Sequence, residues 1–284
     1  MSIRKNKTIK KYILIAISIA VCLYSLVPLL WAFRISIISK TEMLKSPPDY
    51  FPRDLTLENY RDFFGIGDSH GLIARNFSDA FINSIVSCLM ATIIITLIAV
   101  FSGYVFARWE FRGRDALFGV LLMTMALPAY SVMLPLYRIM IALNLMDTIT
   151  GVVLIYVSAY MPLAIWIMRS FFMSIPIEIE EAAFIDGASR LGALRQVIPL
   201  VIPGIIASAI ISFLSTWSQY AIPLVFSASK TKPITVFLTT LIGKTSINYG
   251  LLAAGGIISI IPPMLIVVVL NKFLIQGLTK GAVK

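Results

Sequence analysis

Charge is scarce in this sequence. Only 13% of its 284 residues are charged, about half of the ~25% usual for a soluble domain. There is one histidine, His70, and there are two cysteines, Cys22 and Cys88. A single imidazole without a cysteine cluster excludes a metal centre. Both cysteines fall in or at the edge of apolar runs, where they read as small buried residues rather than as a disulfide. No Asp or Glu lies inside any of the long apolar runs. Proton- and sodium-coupled transporters place carboxylates at membrane depth, and an intramembrane enzyme needs an acid/base pair. Both classes are disfavoured. A phosphate loop is also missing. Gly243-Lys244-Thr245 has the right ending, but Leu238 stands where a glycine is required. Internal repeats and low-complexity segments are absent too.

Apolar residues make up 58% of the chain, and the mean hydropathy is +0.90. A bilayer core of ~30 Å takes about 20 helical residues per span. Six spans are expected, over 12–33, 81–107, 116–141, 151–173, 204–226 and 251–271. The expected organisation is an N-terminus at 1–11, a first transmembrane helix within 12–40, an external segment at 41–79 and a five-helix core at 80–284. An inner loop at 174–203 and a tail at 272–284 belong to that core. The first run reads as a retained signal anchor.

The net charge is +10. In a soluble protein this would suggest nucleic acid. Here the charges sit where orientation needs them, so the expected contact is membrane lipid and not nucleic acid. With both termini cytoplasmic, fourteen of the 24 basic residues lie inside, among them Arg4, Lys5, Arg108, Arg112, Arg190 and Lys280. Six basic residues outside, from Arg34 to Arg75, stand beside seven acids. Lys230, Lys232 and Lys244 fall in the last external loop. Arg138 reads as a side chain snorkelling to the outer interface.

The external segment contains Ser46-Pro47-Pro48 and Phe51-Pro52, which break helices. Asn59 to Phe64 forms a short turn with Tyr60, Phe63 and Phe64 on one side. It reads equally well as a contact for an external protein and as a cap on the chain itself.

The densest polar segment lies between two apolar runs. Glu178, Glu180, Glu181 and Asp186 fall within nine residues, flanked by Arg190 and Arg195. Ile175, Ile179 and Ala182 follow i, i+4, i+7, the stripe of an amphipathic surface helix. Ala183 and Gly187 lack bulk and share a face, which lets another protein approach closely. Glu181 is a charge that can pair with an arginine and fix orientation. Asp186-Gly187 favours a helix end, and Pro199 and Pro203 mark the start of the fifth span.

Glu181-Ala182-Ala183, three residues, Gly187, then a helical stretch ending in Pro199 resembles the EAA loop of permease subunits in ATP-binding-cassette (ABC) importers, and most of all the maltose-type carbohydrate branch. Three other stretches agree. Leu55 to Tyr60 resembles that branch's external motif, Ala107 to Gly113 its basic turn between spans two and three, and Gly277 to Lys284 its tail. There are two departures. Pro199 comes twelve residues after Gly187, where the family usually has thirteen. On a helix that would rotate the downstream residues by about 100°, unless a turn absorbs it. Trp217-Ser218-Gln219-Tyr220 stands where many relatives have Trp-Asn-Glu-Phe.

The resemblance implies a type I ABC importer permease fold: all-α, polytopic, with six transmembrane helices, in a prokaryotic inner membrane. It implies two cytoplasmic ATPase subunits, a second permease subunit and an external solute-binding protein. ATP and Mg would be used by the ATPases, with no cofactor on this chain. Glu181, Ala182, Ala183, Asp186 and Gly187 would dock on the ATPase, with Gly187 at the bend. The implied cargo is a sugar or oligosaccharide. Glycerol phosphate or a polyamine are alternative cargoes, and a secondary transporter or channel is the alternative of another class.

Ser208, Ser212, Ser215 and Gln219 lie within about 60° on a helix. They read equally as a wet, hydroxyl-lined cargo path and as close helix packing. Trp217 and Tyr220 either stack on a sugar face or anchor at the interface. Ser84, Cys88, Thr92 and Thr96 form a second stripe, read as packing. Pro128, Pro135 and Pro162 are expected to kink their helices.

Overall fold

The structure, a computed structural model, describes residues 2–43, 45, 54–66, 71–227, 229–243 and 247–282, with side chains left undescribed at 2–9, 40, 129 and 271–282. Twelve α-helices follow one another among the described residues. They are α1 (Ser2–Ser36), α2 (Lys40–Met43), α3 (Glu58–Phe64), α4 (Gly71–Arg108), α5 (Arg114–Met123) and α6 (Ala129–Ala142). There follow α7 (Ile149–Met173), α8 (Glu178–Ile185), α9 (Arg190–Trp217), α10 (Ala221–Phe226), α11 (Ile234–Thr240) and α12 (Tyr249–Ala282).

Among the described residues five helices are long and apolar enough to cross a membrane: α1 from Lys10, α4, α7, α9 and α12 to Leu270. A sixth crossing requires α5 and α6 to count as one broken span. The expected third span is therefore more than kinked. Pro128 carries extended backbone between a short 3₁₀ turn and α6, and the two halves meet at 101°. Proline has no N–H to continue the ladder and pushes its predecessor out of the helical region. At Pro135 and Pro162, by contrast, the helices run on.

The expected fifth span is also shifted. Pro199 and Pro203 lie inside α9, which begins nine residues before Pro199 at Arg190. Ser189 caps it, its hydroxyl accepting the Gly192 N–H at 3.3 Å. At the other end the helix stops at Trp217, and Ser218 to Tyr220 separate it from α10. Prolines are tolerated in spanning helices where neighbouring groups or small local adjustments satisfy the freed carbonyls.

The chain divides into two compact units, one of 1–77 with 238–260 and one of 78–237 with 261–284. In the first, the segment between α1 and α4 folds back onto its own chain. Asn59 donates to the Ser36 carbonyl at 3.0 Å, and Tyr60 and Ser36 share a hydroxyl bond of 2.7 Å. Glu42 accepts the Asp54 N–H at 2.8 Å. Phe63 is buried against Phe77, with ring centroids 4.2 Å apart. Phe64 does not share that side and is 63% exposed, because a helix turns successive residues by about 100°. Of the apolar window of α1, nothing is buried within the chain. Cys22 is exposed on it, contrary to the expectation of burial, whereas Cys88 is buried. His70, Pro47, Pro48, Pro52 and Lys244-Thr245 lie outside the described residues, as do Val283 and Lys284.

In the second unit α7 is the central helix, with twelve buried residues along its length. α9 packs along it. The approach is close because Gly204 offers no side chain: a Cβ there would stand 2.4 Å from the Phe171 ring. α4 approaches α7 in the same way at Gly103, where a Cβ would meet that of Met168 at 2.7 Å. The far end of this unit is tied by polar bonds. Asp147 accepts the backbone N–H groups of Ser229, Lys230 and Thr231 and the hydroxyls of Ser229 and Thr231. Asn83 donates to the carbonyls of Lys230 and Lys232, and Ser84 accepts the Ile234 N–H.

Candidate functional site: the α8 loop and its anchor

α8 is an eight-residue helix set between two turns. Its end is a left-handed cap. Gly187 has φ +82°, its N–H returns to Phe184 at 3.0 Å, and the Ala188 N–H returns to Ala183 at 2.9 Å. This paired 5→2 and 6→1 closure needs a positive φ, which glycine supplies without strain. The turn from Asp186 to Ser189 separates α8 from α9, so helical phase is not carried from one to the other. The missing residue before Pro199 falls beside a segment that can absorb it.

The sequence-predicted stripe is reversed. Ile179 and Ala182 are exposed, and Ile175 precedes the helix in a turn. The buried face is Glu180 and Ala183, at 3% and 1% exposure. α8 packs against α9. Ala183 is thus held inside this chain and is not open to a partner. Glu181, Ala182, Asp186 and Gly187 are exposed, with Ile185 and Leu191 beside them.

Sequence reasoning missed the residue that holds the loop. Glu180 pairs with Arg108, Nε to Oε1 at 2.5 Å, and its other oxygen accepts the Tyr104 hydroxyl at 2.9 Å. Arg108 also donates from Nη2 to the Ile175 carbonyl at 2.8 Å. Tyr104 and Arg108 are one turn apart on α4. Nearby, the Arg190 guanidinium lies 4.6 Å over the Trp109 ring. These groups line a cleft of about 470 Å³ with Glu181 and Phe184 at its edge. A buried carboxylate flanked by two donors from one helix is a fixed joint rather than a solvated charge. Its sequence signal was faint: of the two adjacent glutamates, only helical phase distinguishes Glu180 from Glu181.

The family described as "Binding-protein-dependent transport system inner membrane component" matches residues 95–280. The chain belongs to this family. It is similar to the trehalose transport system permease protein SugB of Mycobacterium tuberculosis, 36% identical over 92% of this chain and 93% of that protein. It is also similar to the arabinooligosaccharides transport system permease protein AraQ of Halalkalibacterium halodurans, 30% identical over 99% of each. Among solved structures, a bacterial ABC transporter involved in the import of the acidic polysaccharide alginate shares the fold. The TM-score is 0.73 at 24% identity, over 91% of this chain and 95% of that one. The chain is accordingly a multi-pass inner-membrane permease of the ABC importer family, and a self-contained secondary transporter is set aside.

Within the permease the serine stripe divides. Ser208 and Ser212 are buried, whereas Ser215 is partly open. The Ser208 hydroxyl has no hydrogen-bond partner among the described residues, nor have Thr92 and Thr96 on α4. Trp217 is buried, stacked at 5.6 Å on Phe213 and edge-on to Phe81, so it is a packing residue and no interfacial anchor. Gln219 and Tyr220 lie at the break between α9 and α10. Gln219 donates to the Tyr160 hydroxyl and its backbone carbonyl accepts from Thr235 at 2.7 Å. Tyr220 is exposed. Tyr160, on α7, was not singled out from sequence; its contribution depends on helix pairing alone.

Proposed function

We propose that this permease carries a sugar or oligosaccharide into the cell and is driven by ATPase subunits that dock on α8. Its N- and C-termini face the cytoplasm, as the distribution of basic residues requires. It pairs with a second permease subunit, and the pair works with two ATPase subunits and one external solute-binding protein. ATP and Mg are used by the ATPases, and this chain binds no cofactor. The observation that carries the docking is the outward face of α8: Glu181, Ala182, Asp186 and Gly187 are all exposed. Small residues allow close approach there, and Glu181 offers a charge-assisted contact to a basic partner.

The cargo reading rests on relatives whose names record trehalose and arabinooligosaccharide transport. It also rests on the uncharged polar groups of Tyr160, Ser215, Gln219 and Tyr220. Hydroxyls and amides exchange hydrogen bonds with a neutral sugar, whereas an anion would want arginines and a cation would want carboxylates. ATP biases a two-state rigid-body change between inward- and outward-open forms. The test is purification of the tagged chain in mild detergent from its native membrane. An ATPase subunit, a second permease and a solute-binding protein retaining a sugar are expected. A chain that purifies alone and moves trehalose in liposomes without ATP would overturn the reading.

A further inference from the structure

An eight-residue helix has little stability of its own. α8 is joined to α7 and α9 only through short turns, at 174–177 and 186–189. A push on such a helix would be lost in those turns unless other bonds fix it. Packing fixes it to α9, with Ala183 on its buried face. A separate set of bonds fixes it to α4. Both Glu180 oxygens are taken by α4 side chains one turn apart, at 2.5 Å from Arg108 and 2.9 Å from Tyr104. The second arm of Arg108 holds the Ile175 carbonyl at 2.8 Å, in the turn that leads into α8. The helix is therefore gripped from α4 at its entry and on its buried face. The grip resists opening, because a largely buried charge that loses its partner is left uncompensated.

We propose that Glu180 is a positioning residue that fastens α8 to α4 through Arg108 and Tyr104, so that these two helices move as one body when the ATPase acts. This rests on the docking of the ATPase on α8. Motion received at α8 then reaches α4 directly, as well as passing through the turn into α9. Glu181 and Glu180, adjacent in sequence, divide the work: one faces the partner and the other transmits within the chain.

The test uses the full transporter complex with Cys22→Ser and Cys88→Ala as background. Spin labels go on Leu97, exposed on α4, and Glu178, exposed at the start of α8. The distance between them is read without nucleotide and after trapping with ATP and vanadate. In the parent, one distance is expected in both states. Tyr104→Phe removes one hydroxyl without stranding a charge, and Glu180→Gln keeps the shape without the charge. Each is expected to let the trapped-state distance shift or broaden by more than about 2 Å, the scale of a helix shift. Arg108→Lys, which retains the charge, is expected to stay closer to the parent than Arg108→Gln. A parent distance that changes on trapping would overturn the proposal. So would variants that match the parent in both states, or variants that no longer retain the ATPase. Failure of the docking reading looks different: the ATPase is then missing from the parent complex before any distance is read.

Discussion

Asp147 and Lys230 stand 83 positions apart, and the Asp147 carboxylate takes the Lys230 backbone N–H at 3.0 Å. The N–H groups of Ser229 and Thr231 point at the same carboxylate. Successive backbone N–H groups form a concavity that suits an anion, and here a side chain of the same protein fills it. Asp147 itself has φ +53°, a conformation that Asp tolerates better than most residues. The bond set ties the turn before α7 to the loop before α11.

Loss of this tie should be measurable as stability. Burial alone would raise the Asp147 carboxyl. The N–H donors of Lys230 and Thr231 and the hydroxyls of Ser229 and Thr231 outweigh it, and hold the group well below the usual carboxylate range. Asp147→Asn should cost roughly 2 kcal/mol at neutral pH, as loss of hydrogen bonds to a charged group does. A lowered folded pKa gives stability that is complete above the ordinary value of about 3.9 and is lost as pH falls below it. Thermal unfolding in detergent should show a constant gap between wild type and Asp147→Asn from pH 8 to about pH 5. The gap should narrow below about pH 4.

Gly187→Ala should destabilise by about 1 kcal/mol, through the left-handed backbone alone. Beyond its chain neighbours, no atom of the described residues lies within 4 Å of the added Cβ, so crowding within the chain contributes nothing. Gly187→Asn should cost less, because Asn visits this region more readily. Melting temperatures of the three proteins check the order.

Gly204→Ala places a Cβ 2.4 Å from the Phe171 ring. An overpacked core site typically loses about 1–3 kcal/mol. Phe171→Leu in the same chain should recover part of that loss, and a double-mutant cycle on thermal stability measures the coupling.

Glu181→Lys should leave folding unchanged within about 0.5 kcal/mol, since the residue is an exposed surface position. Retention of the ATPase should fall, and ATP hydrolysis should no longer follow transport. Normal transport by a well-inserted Glu181→Lys protein would remove the docking role.

Ser208→Ala deletes a buried hydroxyl without a partner among the described residues. Relieving an unsatisfied group is expected to stabilise by about 1 kcal/mol, without loss of transport. A strong transport defect with unchanged stability would instead assign Ser208 to the cargo path.

The family and the helical class were legible in the chain because both depend on local order. Long apolar runs without carboxylates favour spanning helices, and Glu181-Ala182-Ala183 with Gly187 is a local motif. Gly187 was legible for the same reason, since a positive φ is a property of one residue. Which glutamate faces inward was not. Ile175, Ile179 and Ala182 gave a persuasive stripe, yet a helix this short takes its orientation from what it packs on. Arg108 and Tyr104 on α4 drew Glu180 inward, and pairing over 72 positions has no trace in local pattern. The start of α9 was misplaced because its prolines look like breaks, whereas the helix already begins at the Ser189 cap and runs through both. By itself the sequence determined the helical membrane class, the family and the bend, but not the break in the third span or the start of α9. The tertiary structure decided which charges pair, which serines are sealed and which face of α8 is exposed, because each depends on distances that chain order does not encode.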